Sequence, residues 1–237
     1  WYDVPGRDEN WRKETIEALD HDEAKFNQEY CCEFLGSSGT LISGSKLKEL
    51  YPEQPIAKAE GLIQYERADP DKQYVITADV ARGKGLDFST FNIFDISDMP
   101  YRQVAVYKDN LIGPVDFASV LYRAGMIYNE AGILVEINDI GGQVSDVLTL
   151  DLGYENLLYT QNNGRSGKVL SPGFGKNVDA GVRTTKLVKG VGCSMLKMLV
   201  EQNQLFIRDY DTIQELSRFS KKANSFEAES GFHDDLV

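Results

Sequence analysis

A mixed α/β sheet flanked by helices is the architecture this sequence predicts, and three observations carry the prediction. Apolar runs rich in Val, Ile, Phe and Tyr at about 73–79, 90–96 and 102–108 are the pattern of neighbouring antiparallel strands. The pattern then alternates. Helical spacing through Val115, Ala118, Leu121, Tyr122 and Gly125 gives way to a strand at 132–138, a helix opened by Gly141-Gly142, and a short strand at 157–160. Acids fall where such strands end, Asp79 on the first and Glu136 on the fourth. Three antiparallel strands, then helix, strand, helix and strand, is the order of the ribonuclease-H-like fold, in which the first and fourth strands are neighbours.

Residues 1–60 read differently. Val4-Pro-Gly-Arg-Asp8 is a turn, and Asp8 or Asn10 caps a helix from Trp11 to Leu19. A second helix is expected from Asp22 to Phe34, with Phe26, Tyr30 and Phe34 as a packing stripe, and a third from Ser45 to Leu50. The glycines between Gly36 and Lys46 lack the Gly-Lys-Ser/Thr ending of a phosphate loop, so that reading is rejected. Pro52 and Pro55 mark a linker, which divides the chain into an irregular tail or clasp (1–60) and a main domain (61–237).

Within the main domain, Tyr74-Val-Ile-Thr-Ala-Asp79 is a buried strand that delivers a carboxylate into a loop with two glycines, an arginine, a lysine and Asp87. Residues 161–181 hold Gly164, Gly167, Gly173, Gly175 and Gly181 together with Arg165, Lys168 and Lys176, and read either as a surface insertion or as a DNA-contacting finger. A helix is expected from Arg183 to Gln202. Its Arg183, Lys186 and Lys189, three apart, roughly share a face that could follow a phosphate backbone, although solvated charge is the commoner cause of such spacing. A short apolar stretch (205–207), a helix from Thr212 to Phe219 and a polar hairpin lead to Gly231-Phe-His233-Asp234-Asp235. The sequence stops as this segment turns apolar, so a truncated carboxyl end is expected.

Composition sets bounds. With 237 residues, 42% hydrophobic and 11% aromatic, the chain can bury a sizeable core. It has no apolar run of eighteen residues and no signal-like amino terminus, so a soluble, unexported protein with no membrane partner is expected. Cys31, Cys32 and Cys193 are odd in number, lack metal-ligand spacing and read as reduced thiols. A net charge of −12 argues against a general nucleic-acid coating protein, but not against an enzyme that meets DNA at one groove through metal ions.

Three acids make the constellation: Asp79, Glu136, and either Asp235 or Asp234 at the start of the last segment. Converging carboxylates repel one another unless a cation intervenes, and oxygen ligands suit magnesium or manganese. Two such ions roughly 3.5–4 Å apart can support phosphodiester hydrolysis. Asp87 is a fourth candidate, as a ligand or an orienting group. The plainer reading of Asp234-Asp235 is an acidic pair favourable to a helix dipole.

The chain resembles the nuclease domain of the large terminase subunit, the DNA-packaging motor, of T-even-type tailed bacteriophages. Carrying the resemblance are Trp1 with Val4-Pro-Gly-Arg-Asp8, the stretch from Cys32 to Gly44, the Asp79–Asp87 loop, and Val135-Glu136-Ile-Asn138. Val191-Gly-Cys-Ser194, Thr212-Ile-Gln-Glu215 and His233-Asp-Asp-Leu-Val237 complete it. The resemblance implies a magnesium- or manganese-dependent endonuclease with two ions, cutting concatemeric double-stranded viral DNA with little sequence preference. It implies Asp79, Glu136 and Asp235 as catalytic metal ligands, with Asp234 and Asp87 as further ligand candidates and His233 just outside them. DNA contacts from Arg183, Lys186 and Lys189, and from Arg165, Lys168 and Lys176 of the 161–181 segment, are expected from their charge and spacing and not from the resemblance. The resemblance also implies an ATPase motor upstream in the same polypeptide, a portal and a small terminase subunit as partners, and a place at the viral prohead in the host cytoplasm. Residues 161–181 are longer than the family pattern, and the motor's phosphate loop is missing, so this chain is expected not to hydrolyse ATP. Two other readings stay open: a non-catalytic DNA-gripping or assembly module, and another ribonuclease-H-like nuclease such as a junction resolvase.

Overall fold

The computed structural model of the chain describes residues 4–19, 26, 30, 39–161, 169–170, 178–222, 225–229 and 231–237. Among these residues the main sheet has seven strands. A hairpin of β1 (Ala57–Ala59) and β2 (Leu62–Gln64) leads into β3 (Tyr74–Asp79), β4 (Ser89–Asp95) and β5 (Tyr101–Asp109), followed by β6 (Gly132–Val135). Their order is β1-β2-β5-β4-β3-β6. β3, β4 and β5 form an antiparallel meander, and β6 lies parallel to β3 with Ala78 opposite Val135. The expected strand at 157–160 starts beside β6, with Leu157 bridged in parallel to Ile133, and continues as β7 (Tyr159–Gln161) of a small further sheet with β8 (Val169–Leu170) and β9 (Val178–Ala180). The last strand of the main sheet, β10 (Leu205–Phe206), lies parallel to the start of β5.

Alternation explains the placement of β3: Tyr74, Ile76 and Ala78 point into the core while the residues between them are half-buried. One face of the sheet is covered by the helix Pro114–Ile127, which buries Phe117, Ala118, Leu121 and Ala124 against Phe91, Tyr107 and Ile133. On the other face a second core joins Val200 of the helix Lys186–Glu201 and Ile213 and Leu216 of the helix Tyr210–Arg218. Phe219 of the hairpin β11 (Phe219–Lys222)/β12 (Ser225–Ala228) belongs to the same core. Leu41 and Ile42 enter it too, next to the short helix Gly44–Glu49 that Ser43 caps. The expected domain division at residue 60 thus falls inside the β1–β2 hairpin, and residues 39–42 pack on the main domain.

Asp8 caps the first helix, Glu9–Ala18, by accepting from the N–H groups of Asn10 and Trp11. Phe26 and Tyr30 pack against Trp11; Phe34 and most of the helix expected at 22–34 lie outside the described residues, as do Cys31 and Cys32. Cys193 is a buried free thiol.

Three expected elements end or begin elsewhere. The fourth strand stops at Val135, and Glu136 makes an isolated parallel bridge to Val182. The helix after Gly141 runs as α-helix over Gly141–Asp146 and then widens to a π-turn over Val147–Asp151, where the Leu152 N–H reaches back to the Val147 carbonyl. The helix expected from Arg183 begins at Lys186 with Thr185 as its cap, because Val182 is still engaged as extended backbone with Val135 and Ile137. Arg183 therefore lies outside the helix and does not share a helical face with Lys186 and Lys189. Among the described residues, no helix is long and apolar enough to cross a membrane.

Phe117 is fully buried, with its ring 6.1 Å from Phe91 and 5.9 Å from Tyr107. Phe117→Ala should cost about 3–5 kcal/mol in urea denaturation. Leu187→Ala, on an exposed helix face, should change stability by less than about 0.5 kcal/mol.

Candidate metal centre

Register brings the acids to one end of the sheet. Asp79 is the last residue of β3 and Glu136 the first after β6; the Glu136 N–H donates to the Ala78 carbonyl at 2.9 Å, so the two acids leave neighbouring strands at the same level. The Asp79 carboxylate accepts the Val80 N–H at 2.7 Å. Glu136 Oε1 accepts from Asn138 Nδ2 at 2.9 Å, and Asn138 also donates to the Thr184 carbonyl. Behind Glu136 the chain turns so tightly that a Cβ on Gly141 would lie 1.8 Å from the Glu136 carbonyl oxygen, so only glycine fits there. The loop after Asp79 has the same requirement at Gly83, at φ +66, where a Cβ would meet the Ile112 carbonyl at 2.5 Å.

The third acid arrives from the far end of the chain. Asp79 pairs with Thr90 across β3 and β4, and the Thr90 hydroxyl donates to the Asp235 carbonyl. Asp235 Oδ2 accepts the Phe88 N–H at 3.2 Å. One cleft is lined by Asp79, Arg82, Lys84, Asp87, Asp139 and Asp235. His233 Nδ1 is 3.5 Å from Asp235 Oδ2 and 3.9 Å from Asp87 Oδ1, and its ring meets Phe88 edge-on. Asp87, His233 and Asp235 each offer a ligand atom, and these atoms lie within 4.8 Å of one another.

Electrostatics mark the same place. Burial, reinforced by Glu136 and then by Asp235 and Asp234, pushes the Asp79 carboxyl up to about 7, against the opposing Val80 N–H. Burial also raises Asp235, with Asp87 adding to it and the Phe88 N–H and His233 working against it. Carboxylates gathered with one imidazole are a donor set that fits a hard or borderline divalent cation, whose charge would relieve this repulsion.

Of the residues singled out in the sequence, Asp79, Asp87 and Asp235 line the cleft, His233 lies beside Asp87 and Asp235, and Glu136 stands just past the end of β6, next to Asp79. Asp234 is held by Lys189 Nζ at 3.4 Å. Arg183 faces Asp179 at 3.9 Å, and Lys186 borders a shallow apolar groove with Leu187, Val191 and Met195. Arg165, Lys168 and Lys176 lie outside the described residues. Sequence reasoning missed Arg82, Lys84 and Asp139 as cleft residues. The two basic residues sit in a glycine loop already noted, but Asp139, in left-handed backbone at φ 49 and bidentate to Arg82, left no pattern to read.

The family model for the terminase RNase H-like domain matches residues 76–237. Among solved structures, the large terminase nuclease of thermophilic phage G20c with bound magnesium aligns with TM-score 0.63 at 20% identity, over 84% of this chain and 93% of that one. The cobalt-bound form of the same nuclease gives 0.62 at 19%, over 84% and 93%. The large terminase nuclease domain of Thermus phage P74-26 gives 0.57 at 20%, over 81% and 87%. At such identities the likeness establishes the ribonuclease-H-like fold.

Metal-free, Asp79 titrates near 7 in the folded chain and near 3.9 when unfolded, so the folded state binds the extra proton between those values. Stability should fall as pH rises through this window. In EDTA, the urea midpoint should be higher at pH 5 than at pH 8. Asp235 and Glu215 are shifted in the same direction, so comparison with Asp79→Asn isolates the Asp79 share. That variant should flatten the profile and be more stable at pH 8 by about 2–4 kcal/mol. An unchanged slope would contradict the raised carboxyl.

Proposed function

The chain belongs to the terminase RNase H-like domain family, and from that premise we propose that it is a divalent-metal-dependent endonuclease cutting concatemeric double-stranded viral DNA at the start and end of genome packaging. The observation that carries this reading is the cleft in which strand-end Asp79 meets Asp87 and Asp235, with Asp79 raised by burial and by neighbouring carboxylates. Relatives of this fold crystallised with magnesium and with cobalt support it.

Asp79, Glu136 and Asp235 are the ligands assigned in this reading, with Asp87 and His233 completing a site for two magnesium or manganese ions. Asp235 is preferred to Asp234 because Asp235 lines the cleft, whereas Asp234 is engaged by Lys189. When bound, the cations supply Lewis acidity toward a phosphodiester. The chain's own residues do the rest. Asp79 and Asp235 would hold the cations at a fixed place, because the Val80 N–H anchors one carboxylate and the Phe88 N–H the other. His233, half-exposed, places Nδ1 beside the Asp87 and Asp235 carboxylates, where it would help to hold a cation. Arg82 and Lys84 at the cleft wall meet backbone phosphates, which carry no sequence information, in keeping with cutting of low specificity. ATP hydrolysis is assigned to a motor domain upstream in the same polypeptide, for which residues 1–60 are the tail and linker. The portal and small terminase subunit, at the prohead in the host cytoplasm, are the partners.

Supercoiled plasmid should be nicked and linearised with Mg²⁺ or Mn²⁺ and left intact in EDTA. Asp79→Asn should lower the rate by at least about a hundredfold while the chain stays folded. Equal cutting by this variant, or none by the parent chain under either metal, would overturn the reading. For DNA contact, Arg183→Glu with Lys186→Glu should weaken duplex binding and flatten the dependence of log Kd on log salt by about one to two units.

A further inference from the structure

Glu215 has no part in the centre described above, yet it is a buried carboxylate, 8% exposed, aimed at the segment that carries Asp235. Its two oxygens do different things. Oε2 accepts the Leu236 N–H at 2.7 Å, one residue beyond the cleft acid. Oε1 accepts from Lys108 Nζ at 3.1 Å. Lys108 in turn places its ammonium 4.6 Å from the centroid of the Phe88 ring, and the Phe88 N–H is the donor to Asp235 Oδ2. Glu215 thus reaches Asp235 by two routes, one through the main chain and one through Lys108 and Phe88.

The surrounding contacts make this an organised clamp. Asn92 Nδ2 donates to the Leu236 carbonyl at 3.2 Å, while Asn92 Oδ1 accepts from Gln103 Nε2 at 2.7 Å. Gln103 Oε1 accepts the N–H groups of Arg208 and Asp209 at 2.8 Å, and its Nε2 also reaches the Thr212 hydroxyl. The helix Tyr210–Arg218 that carries Glu215 is therefore fixed to the same two strands that hold Leu236. The Leu236 side chain closes the arrangement by packing with Tyr65 and Val106.

We propose that Glu215, with Lys108, is a positioning residue that docks the 234–236 segment so that Asp235 is presented to the divalent cation. Removing it leaves the Leu236 N–H without its acceptor and the Lys108 ammonium with only the more distant Asp211, at 3.8 Å, so the segment loosens where a ligand must be held. This rests on the proposed metal-dependent nuclease reading, and the test separates the two.

Mn²⁺ binding is measured by titration calorimetry on the whole chain with and without a short DNA duplex, alongside plasmid cleavage and thermal unfolding. Glu215→Ala should weaken Mn²⁺ binding about 10–100-fold and raise the Mn²⁺ needed for half-maximal cutting by a similar factor, with the KM for DNA little changed. Glu215→Gln, which still offers an acceptor to Leu236 but no charge to Lys108, should fall between. Lys108→Met should shift metal affinity in the same direction as Glu215→Gln. A chain that binds Mn²⁺ in an Asp235-dependent way but never cuts overturns the nuclease reading and leaves the clamp standing. Variants that melt earlier yet bind Mn²⁺ as tightly as the parent overturn the clamp. Absence of Asp235-dependent Mn²⁺ binding in the parent, with or without duplex, overturns both.

Discussion

Carboxylates held close together and partly out of water are the constraint around which the molecule is arranged. Nothing in their side-chain chemistry favours that gathering, so the main chain enforces it. Asp79 is fixed by its pairing with Thr90 and by that of its neighbour Ala78 with Val135, Glu136 by its bridge to Val182, and Asp235 by Phe88 and Thr90. Lys108 and His233 offset the rise of Asp235 only in part, and other nearby cations are engaged elsewhere, Arg82 with Asp139 and Lys189 with Asp234. The fold gives up stability at this end of the sheet and keeps a field that a divalent ion would satisfy.

The opposite end of the same strands shows the alternative treatment of an aspartate. Asp95 pairs with Tyr74, at the start of the strand that Asp79 ends. Burial would raise its carboxyl too, but Arg102, Ser97 and Lys72 all donate to it and hold it well below the usual carboxylate range. Glu66 and Arg208 extend that network. One pair of strands therefore carries a saturated aspartate at one end and an unsaturated one at the other. The difference lies in which residues surround them, not in depth alone.

Much of this was legible in the sequence because it is local. Apolar runs marked β3, β4 and β5, and the change to helical spacing marked the crossover to β6, from which the neighbouring positions of Asp79 and Glu136 followed. The less legible features depend on distant partners. Arg183 reads as helical by spacing, but the pairing of Val182 with Val135 keeps the chain extended past the point where propensity would start the helix. The π-turn after Asp146 likewise has no periodic signature. The bond between Arg82 and Asp139 joins two loops 57 positions apart, and Glu215 has no local pattern to set it apart from other helix acids because its partner Leu236 lies 21 positions on.

That docking spans the chain. Asp235 meets Phe88 and Thr90 across separations of 147 and 145 residues, and Leu236 meets Asn92 across 144. Contacts of such length form late, after the local meander, and a chain emerging from the ribosome amino end first has none of them until residues 235–236 are out. A half-made copy thus carries a sheet and two strand-end acids but an incomplete cleft. The third acid reaches the cleft only after residues 235–236 have been made and docked on β4, so the order of synthesis sets when the cleft is completed.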